Sequence, residues 1–319
     1  MRKTPFVALT LTMSLLVLSV GAVCGQDYPS KPIRLGASAP GGGTDFTARL
    51  VAQGIAGPLG QQVIVENRGS PILSGEYVAK AAPDGYTLLV AGSATWIRPL
   101  FVKLPWDPVR DFLPITMVER SPNVVAVHPS MPVKSIKELI ALAKARPGEL
   151  NFGSVASGGP DHLAAELLKS MTGIKISHVP YKGIAPALQA LLSGEVQLTF
   201  GSIASVMPHV KSGRLRALAV TSAEPSALLP GLPPVAATVP GFEVVPVTGM
   251  WAPAKTPAAI INRLNQEIVR FLRTPEAKEK FLSAGIEPVG NSPEEFTAII
   301  KSEMAIMSKV IKDAGIKTE

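Results

Sequence analysis

Ile33-Arg34-Leu35, then Gly36-Ala37-Ser38-Ala39, then Pro40-Gly41-Gly42-Gly43-Thr44-Asp45: this run, a short apolar strand signal followed by a glycine-rich turn, decides the reading of the fold. Ala48, Val51, Ala52 and Ile55 follow at helical spacing, so the unit reads strand, turn, helix. Glycines let the backbone approach a ligand closely, and a helix starting near Thr44 aims free N–H groups outward, which makes a ready anion site. The same pattern serves equally as a tight strand-to-helix turn with Thr44 as N-cap. It lacks the Lys-Ser/Thr ending of a P-loop and the spaced glycines of a dinucleotide fingerprint.

Outward from this unit, β-rich runs alternate with helical periodicity, which predicts an α/β architecture. Val63-Ile64-Val65 reads as a strand, Gly75 to Ala82 as a short helix, Pro83-Asp84-Gly85 as a turn and Thr87 to Ala91 as a buried strand. Two apolar runs between Leu113 and His128 flank Ser121-Pro122-Asn123, and Ser135 with Glu138 makes a capping box for a helix through Arg146. A second series begins with a strand from Asn151 to Val155, a Gly/Ser turn, and a helix with Leu163, Leu167 and Met171 inward. Strands at Ile174–Val179, Val196–Phe200 and Leu215–Thr221 follow, with helices at Ala185–Leu192 and near Val206. Beyond the proline-rich stretch Pro225 to Pro240, Val244 to Ala252 is extended and Thr256-Pro257 opens a helix striped by Ile261, Leu264, Ile268 and Phe271. Ser292-Pro293-Glu294-Glu295 caps a last helix bearing Phe296, Ile300, Met304, Met307 and Ile311.

One strand-turn-helix unit of this kind in each half predicts two α/β lobes. The economical arrangement sends the chain out near Ser121 to Val127 and back near Val244 to Met250. Residues 26–122 with 247–319 then form lobe 1 and residues 123–246 lobe 2. Such a topology puts a ligand cleft between the lobes, where each offers helix N-termini at its strand ends.

The chain has 319 residues, 46% of them apolar, enough for two cores. Arg2-Lys3, the apolar run Phe6 to Val20, and Gly21, Ala22, Cys24 and Gly25 before Gln26-Asp27 have the order of a secretory signal peptide spanning residues 1–25. Acylation of a retained Cys24 is the less favoured alternative, because Val23 is bulky where a small residue is expected. Cleavage removes the one cysteine, leaving no disulfide framework and no Cys metal site. No later stretch has the apolar length of a membrane span, so the expected location is the periplasm. The formal charge of +7 favours an anionic ligand, but Lys and Arg are scattered without aromatic interleaving, so no nucleic-acid partner is expected. The chain is expected to be monomeric and to need no cofactor.

The chemistry-bearing candidates sit at strand ends. Beside Pro40 to Asp45, the segment Gly153-Ser154-Val155-Ala156-Ser157-Gly158-Gly159-Pro160-Asp161-His162 has the same construction, with small residues, hydroxyls and a proline suited to a first helical turn. Gly92-Ser93-Ala94-Thr95 and Gly201-Ser202 are further places where hydroxyls reach a cleft. His162 invites a general-base reading, yet no Gly-x-Ser-x-Gly elbow is present and His128, His178 and His209 fall at no ligand spacing, so catalysis and metal binding are not expected. Asp45 and Asp161 are either paired carboxylates or, more simply, acids favoured by a helix dipole.

These residues together resemble the substrate-binding proteins of tripartite tricarboxylate transporters, the TctC or Bug family. The matching segments are Tyr28-Pro29-Ser30-Lys31-Pro32-Ile33, Pro40-Gly41-Gly42 with Thr44-Asp45, Val65-Glu66-Asn67-Arg68 and Ala79 through Leu88. Leu104-Pro105-Trp106-Asp107-Pro108, His162-Leu163 with Glu166-Leu167, Val179-Pro180-Tyr181-Lys182-Gly183 and Trp251-Ala252-Pro253 complete the set, which covers essentially the whole exported chain. The resemblance implies a type 2 periplasmic binding fold, a Venus flytrap closing on a small organic carboxylate held by the loops Pro40–Asp45 and Ser154–Asp161, with Ala156, Ser157, Gly158 and Tyr181 among the contacts. It also implies delivery to membrane permease subunits of that transporter type; a sensory adaptor reporting to a membrane kinase is the alternative. The chain departs from the family where Gly69-Ser70-Pro71-Ile72-Leu73-Ser74-Gly75 replaces the usual Pro-Gly-Ala-Gly-Gly, and where Gln189, Gln197 and Trp96 stand. Trp96 is expected to face the cleft, where it would stack on an aromatic carboxylate.

Overall fold

The structure, a computed structural model, describes residues 28–154 and 159–315. The expected signal peptide with Cys24, and Val155, Ala156, Ser157 and Gly158 of the second turn, lie outside the described residues.

Two sheets form. The first holds β1 (Ile33–Ala37), β2 (Val63–Asn67), β3 (Thr87–Gly92), β4 (Phe112–Arg120), β10 (Val247–Pro253) and β11 (Glu287–Pro288), in the order β11-β4-β10-β3-β1-β2. The second holds β5 (Asn123–Val127), β6 (Leu150–Ser154), β7 (Ile176–Pro180), β8 (Leu198–Ser202) and β9 (Arg216–Val220), in the order β7-β6-β8-β5-β9. The helices are α1 (Gly43–Leu59), α2 (Pro71–Ala79), α3 (Ala94–Ile97), α4 (Ile136–Ala145) and α5 (Pro160–Thr172). They continue with α6 (Ile184–Ser193), α7 (Ile203–Lys211), α8 (Ala258–Leu272), α9 (Pro275–Ser283) and α10 (Pro293–Asp313). The expected α/β class and two-lobed architecture are present.

The register shows how the lobes face each other. β1, β2 and β3 are mutually parallel, β10 is antiparallel to both β3 and β4, and so the C-terminal ends of β1 to β4 share one edge. β4 ends at Arg120 and β5 begins at Asn123, which pairs with Ser202 at the C-terminal end of β8. The outgoing connection therefore joins the C-terminal edge of one sheet to the C-terminal edge of the other. The returning chain runs beside it, with Ser121 N–H donating to the Pro246 carbonyl at 2.8 Å. Ligands of open α/β sheets sit outside such strand ends.

The helices form where the periodicity placed them, with exceptions that have local causes. α2 starts at Pro71 rather than near Gly75, because the Ser70 side chain accepts from Leu73 N–H and Pro71 fits the first helical position. Ser135 caps α4 as expected, but Glu138 reaches back to Lys134 N–H rather than to the cap residue, so the box is only half closed. The box at Ser292 and Glu295 is complete. Met171 is exposed, correcting its inward assignment: it lies in the last turn of α5, beyond the sheet that buries Leu163 and Leu167. Helices α3 and α9 and strand β11 are additions to the sequence reading.

One face of the first sheet packs Ile33, Leu35, Leu88, Val90 and Met250 against Val51 and Ile55 of α1 and Leu264 and Ile268 of α8. Burying each such side chain contributes about 1.5–3 kcal/mol. A second cluster is continuous from Trp96, Trp251 and Phe296 beside the first sheet to Val125, Phe152 and Leu163 of the second lobe, with α10 packed on α5.

Candidate functional site

The Pro40–Asp45 turn is built around a carboxylate that faces back into it. Asp45 is buried, and its oxygens accept from Gly41 N–H at 2.9 Å, Arg49 Nε at 3.0 Å and Asn67 Nδ2 at 2.8 Å, with Arg49 Nη2 at 2.9 Å completing the ion pair. Asn67 also donates to the Ser38 carbonyl at 3.1 Å. The Arg49 guanidinium, with Asn67 and Gly41, holds the Asp45 carboxyl down at about 2. Asp45 thus braces the turn rather than presenting its charge outward. Gly41 takes φ +75°, a left-handed conformation that a glycine adopts without steric cost.

The turn leaves donors open. Gly42 caps α1 with no side-chain hydrogen bond, and no described residue accepts from the amides of Gly43, Thr44 or Asp45. Thr44 does not cap the helix; its hydroxyl bonds that of Ser38. Pro40, Gly41 and Gly43 are exposed, and a Cβ built on Gly43 would meet no atom within 4 Å. By contrast, α2, α4, α9 and α10 all have a Ser or Thr side chain accepting at the cap. Three uncapped N–H groups and the positive end of the α1 dipole are donors that an anion can accept from.

Across the crossing segments, α5 starts from Gly159, again with no side-chain cap. Both ends of its leading connection are tied through histidines. Ser154 Oγ lies 2.6 Å from His178 Nε2, and the His178 ring stacks on His162 with centroids 4.0 Å apart. Phe152 lies 4.9 Å from His178 and 6.0 Å from His162, so the three near-parallel rings form one cluster. His162 Nε2 lies 3.6 Å from Glu166 Oε1, which also accepts from Lys169 at 2.7 Å. Burial, helped by the neighbouring His162, pushes His178 down to about 4, so its imidazole is neutral at ordinary pH. Burial raises the Glu166 carboxyl, but His162 and Lys169 outweigh it and hold the group below its ordinary value.

The other candidates divide. Asp161 is half-buried in the first turn of α5. Ser202 ends β8 exposed at the inter-lobe edge, its hydroxyl 2.9 Å from that of Ser205. Ser93 and Thr95 are buried beside the same edge of the first sheet, with Ser93 N–H donating to the Val247 carbonyl at 2.9 Å. Tyr181 packs its ring over Gly153 and donates its hydroxyl to Glu195 at 3.1 Å.

Trp96 is a correction. It is 1% exposed, wedged between Trp251 at 5.6 Å and Phe296 at 5.9 Å, and its indole N–H donates to Glu303 at 2.7 Å. An aromatic this enclosed fills the core and stacks on no cleft ligand. The divergent Gly69–Gly75 segment is largely the start of α2: Ser74 Oγ donates to the Ala37 carbonyl at 2.8 Å, and a Cβ on Gly75 would strike the Trp106 ring at 2.5 Å.

Sequence reasoning missed Glu119. It is the penultimate residue of β4, opposite Thr248 in the row that continues to Gly92, and is buried with Oε2 lacking a partner among the described residues. Burial, only partly offset by the Thr248 hydroxyl, pushes this carboxyl up to about 7. No helix among the described residues is long and apolar enough to cross a membrane, and no described cluster of His, Cys, Asp or Glu has the form of a metal site.

Comparison with known proteins agrees with this architecture. Residues 47–316 match the family described as tripartite tricarboxylate transporter family receptor. The chain is similar to BugT of Bordetella pertussis, 35% identical over 302 residues, covering 92% of this chain and 93% of that protein. It is also similar in structure to R. palustris Rpa4515, solved with adipate: 36% identity, TM-score 0.72, covering 92% of this chain and 100% of that one. MatC from Rhodopseudomonas palustris, solved with bound malate, superposes with TM-score 0.66 at 28% identity over 89% of this chain and 100% of that one. With family match and relatives both spanning most of its length, the chain belongs to the tripartite tricarboxylate transporter family receptors.

Proposed function

We propose that this protein is a periplasmic receptor that closes two lobes, residues 26–122 with 247–319 and residues 123–246, around a small dicarboxylate and delivers it to the membrane subunits of a tripartite tricarboxylate-type transporter. The observation that carries this reading is the uncapped N-terminus of α1, whose Gly43, Thr44 and Asp45 amides open onto the inter-lobe strand edge. A carboxylate there accepts several N–H groups in a geometry already formed, so little ordering is needed on binding. Adipate and malate, bound by two structurally similar proteins, are both short dicarboxylates, which supports that ligand class here. The glycine N-caps of α1 and α5, one helix in each lobe, support a ligand that bridges the lobes. This role is binding and release, with no chemical step.

A thermal-shift screen of linear C4 to C8 dicarboxylates, with the matching diamides as controls, tests the reading. At about 100 times Kd a ligand adds about 2.7 kcal/mol of stability, which raises Tm by several degrees in a protein of this size. The reading expects at least one diacid to do so while its diamide does not; a flat response across the series rejects it.

A further inference from the structure

A cavity of about 420 Å³ lies where α10 meets the segments that link the two sheets. It is separate from the anion site: none of the glycine-turn residues lines it. Its α10 wall is Ile299, Ser302, Glu303, Ile306 and Met307, spaced so that they share one side of the helix. Val245 and Val247 of the returning segment face them, and Ile299 and Ile306 keep about 40% of their surface exposed, at 39% and 42%.

The charges of this cavity do not cancel. Arg120, at the end of β4, donates to Glu287 of β11 at 2.7 Å, and the other Glu287 oxygen is taken up by Ser226 Oγ and by Ala227 N–H at 3.0 Å. That pair carries no net charge, and both Glu287 oxygens are engaged. Glu303 and Glu243 remain. Trp96 of α3 donates to Glu303 Oε2 at 2.7 Å, but no described residue hydrogen-bonds Oε1. The Ile299, Ile306, Val245 and Val247 surface thus lies beside one open carboxylate oxygen and a second carboxylate, with Ser302 as a further polar group, which is the complement of an ammonium group on a hydrocarbon body.

We propose that this cavity is a second binding site, taking a small organic ammonium whose cation bonds Glu303 and whose apolar body lies along Ile299, Ile306 and Val245. Burial, together with the charge of Glu243, raises the empty-site Glu303 carboxyl to about 7. A bound cation favours the ionised form, so binding expels a proton below neutral pH and tightens as pH rises.

Calorimetric titration of the full chain with hexylammonium chloride tests this, with hexan-1-ol as the uncharged control. The expected result is saturable one-to-one binding, about tenfold tighter at pH 8 than at pH 6 for a carboxyl titrating near 7, and no comparable binding of the alcohol. Glu303→Gln, which keeps an acceptor for Trp96, should weaken hexylammonium at pH 8 by at least about tenfold and abolish the pH dependence. Ile306→Ala, at an exposed position, should weaken it further without changing the pH profile. Absence of saturable heat, equal binding of hexan-1-ol, or unchanged affinity in Glu303→Gln overturns the proposal.

Discussion

Asn67 Nδ2 donates to Asp45 Oδ1 at 2.8 Å and to the Ser38 carbonyl at 3.1 Å, so one amide at the end of β2 ties the first turn of α1 to the exit of β1. Removing the Asp45 carboxylate takes one acceptor from Asn67 and from Arg49, which keep their contact with each other, and releases Gly41 N–H. Asp45→Ala is therefore expected to cost about 1–3 kcal/mol of stability and to weaken dicarboxylate binding through a loosened turn. Because the folded-state pKa lies at about 2, below the unfolded value of 3.8, this stabilisation is present above pH 3.8 and lost as pH falls towards 2. Urea unfolding of wild type and variant between pH 2 and 5 should converge at the acid end; a constant gap contradicts the assignment.

Gly43 separates binding from folding. Its Cβ position is open and it occupies the first position of α1, so Gly43→Ala should leave stability unchanged or raise it by up to about 1 kcal/mol. The added methyl stands beside the free amides and should weaken the dicarboxylate at least about tenfold, roughly the loss of one charge-assisted hydrogen bond. Equal affinities by calorimetry would move the site away from α1.

The imidazole stack predicts an acid-sensitive second lobe. His178 titrates near 4 in the folded protein and 6.5 when unfolded, so the unfolded chain binds more protons in between and stability falls as pH drops from 6.5 to 4. His178→Phe keeps the ring contacts with Phe152 and His162 but carries no proton. Its stability curve should be flatter across that window, even if lower at pH 7 from loss of the Ser154 contact. A slope matching wild type would sink this explanation.

Glu119 predicts the opposite trend. Its carboxyl is raised from 4.5 to about 7, so the folded state holds a proton that the unfolded state releases, and stability declines as pH rises from 4.5 through 7. Glu119→Gln keeps the contact with Thr248 without a charge to bury. Denaturant melts should find it more stable than wild type at pH 8, by on the order of 1–3 kcal/mol, and indistinguishable at pH 4. Destabilisation at pH 8 would mean the ionised carboxylate has a partner.

Much of this was legible in local pattern. Strand, glycine turn and helix at Ile33 to Ile55 follow each other in sequence, so periodicity and turn chemistry suffice to place the open N-terminus of α1 that we propose as the anion site. The brace inside it was not legible, because Asn67 meets Asp45 only once β1 and β2 pair. His162 and His178 have no ligand spacing; they meet because β6 and β7 bring Ser154 beside Pro180. Trp96 reads equally as cleft or core until Phe296, from the distant α10, closes over it. Glu119 escaped notice because a register shift between Thr248 and Gly249 breaks the simple alternation of β4.

The central claim is that a dicarboxylate is held between two lobes that close on it. Small-angle X-ray scattering through a titration with the diacid that most raises Tm tests it most directly. The account predicts a radius of gyration that falls along the same saturation curve as the calorimetric heat, in wild type at ligand concentrations where Gly43→Ala remains unchanged. Saturated binding with an unchanged radius of gyration would contradict it.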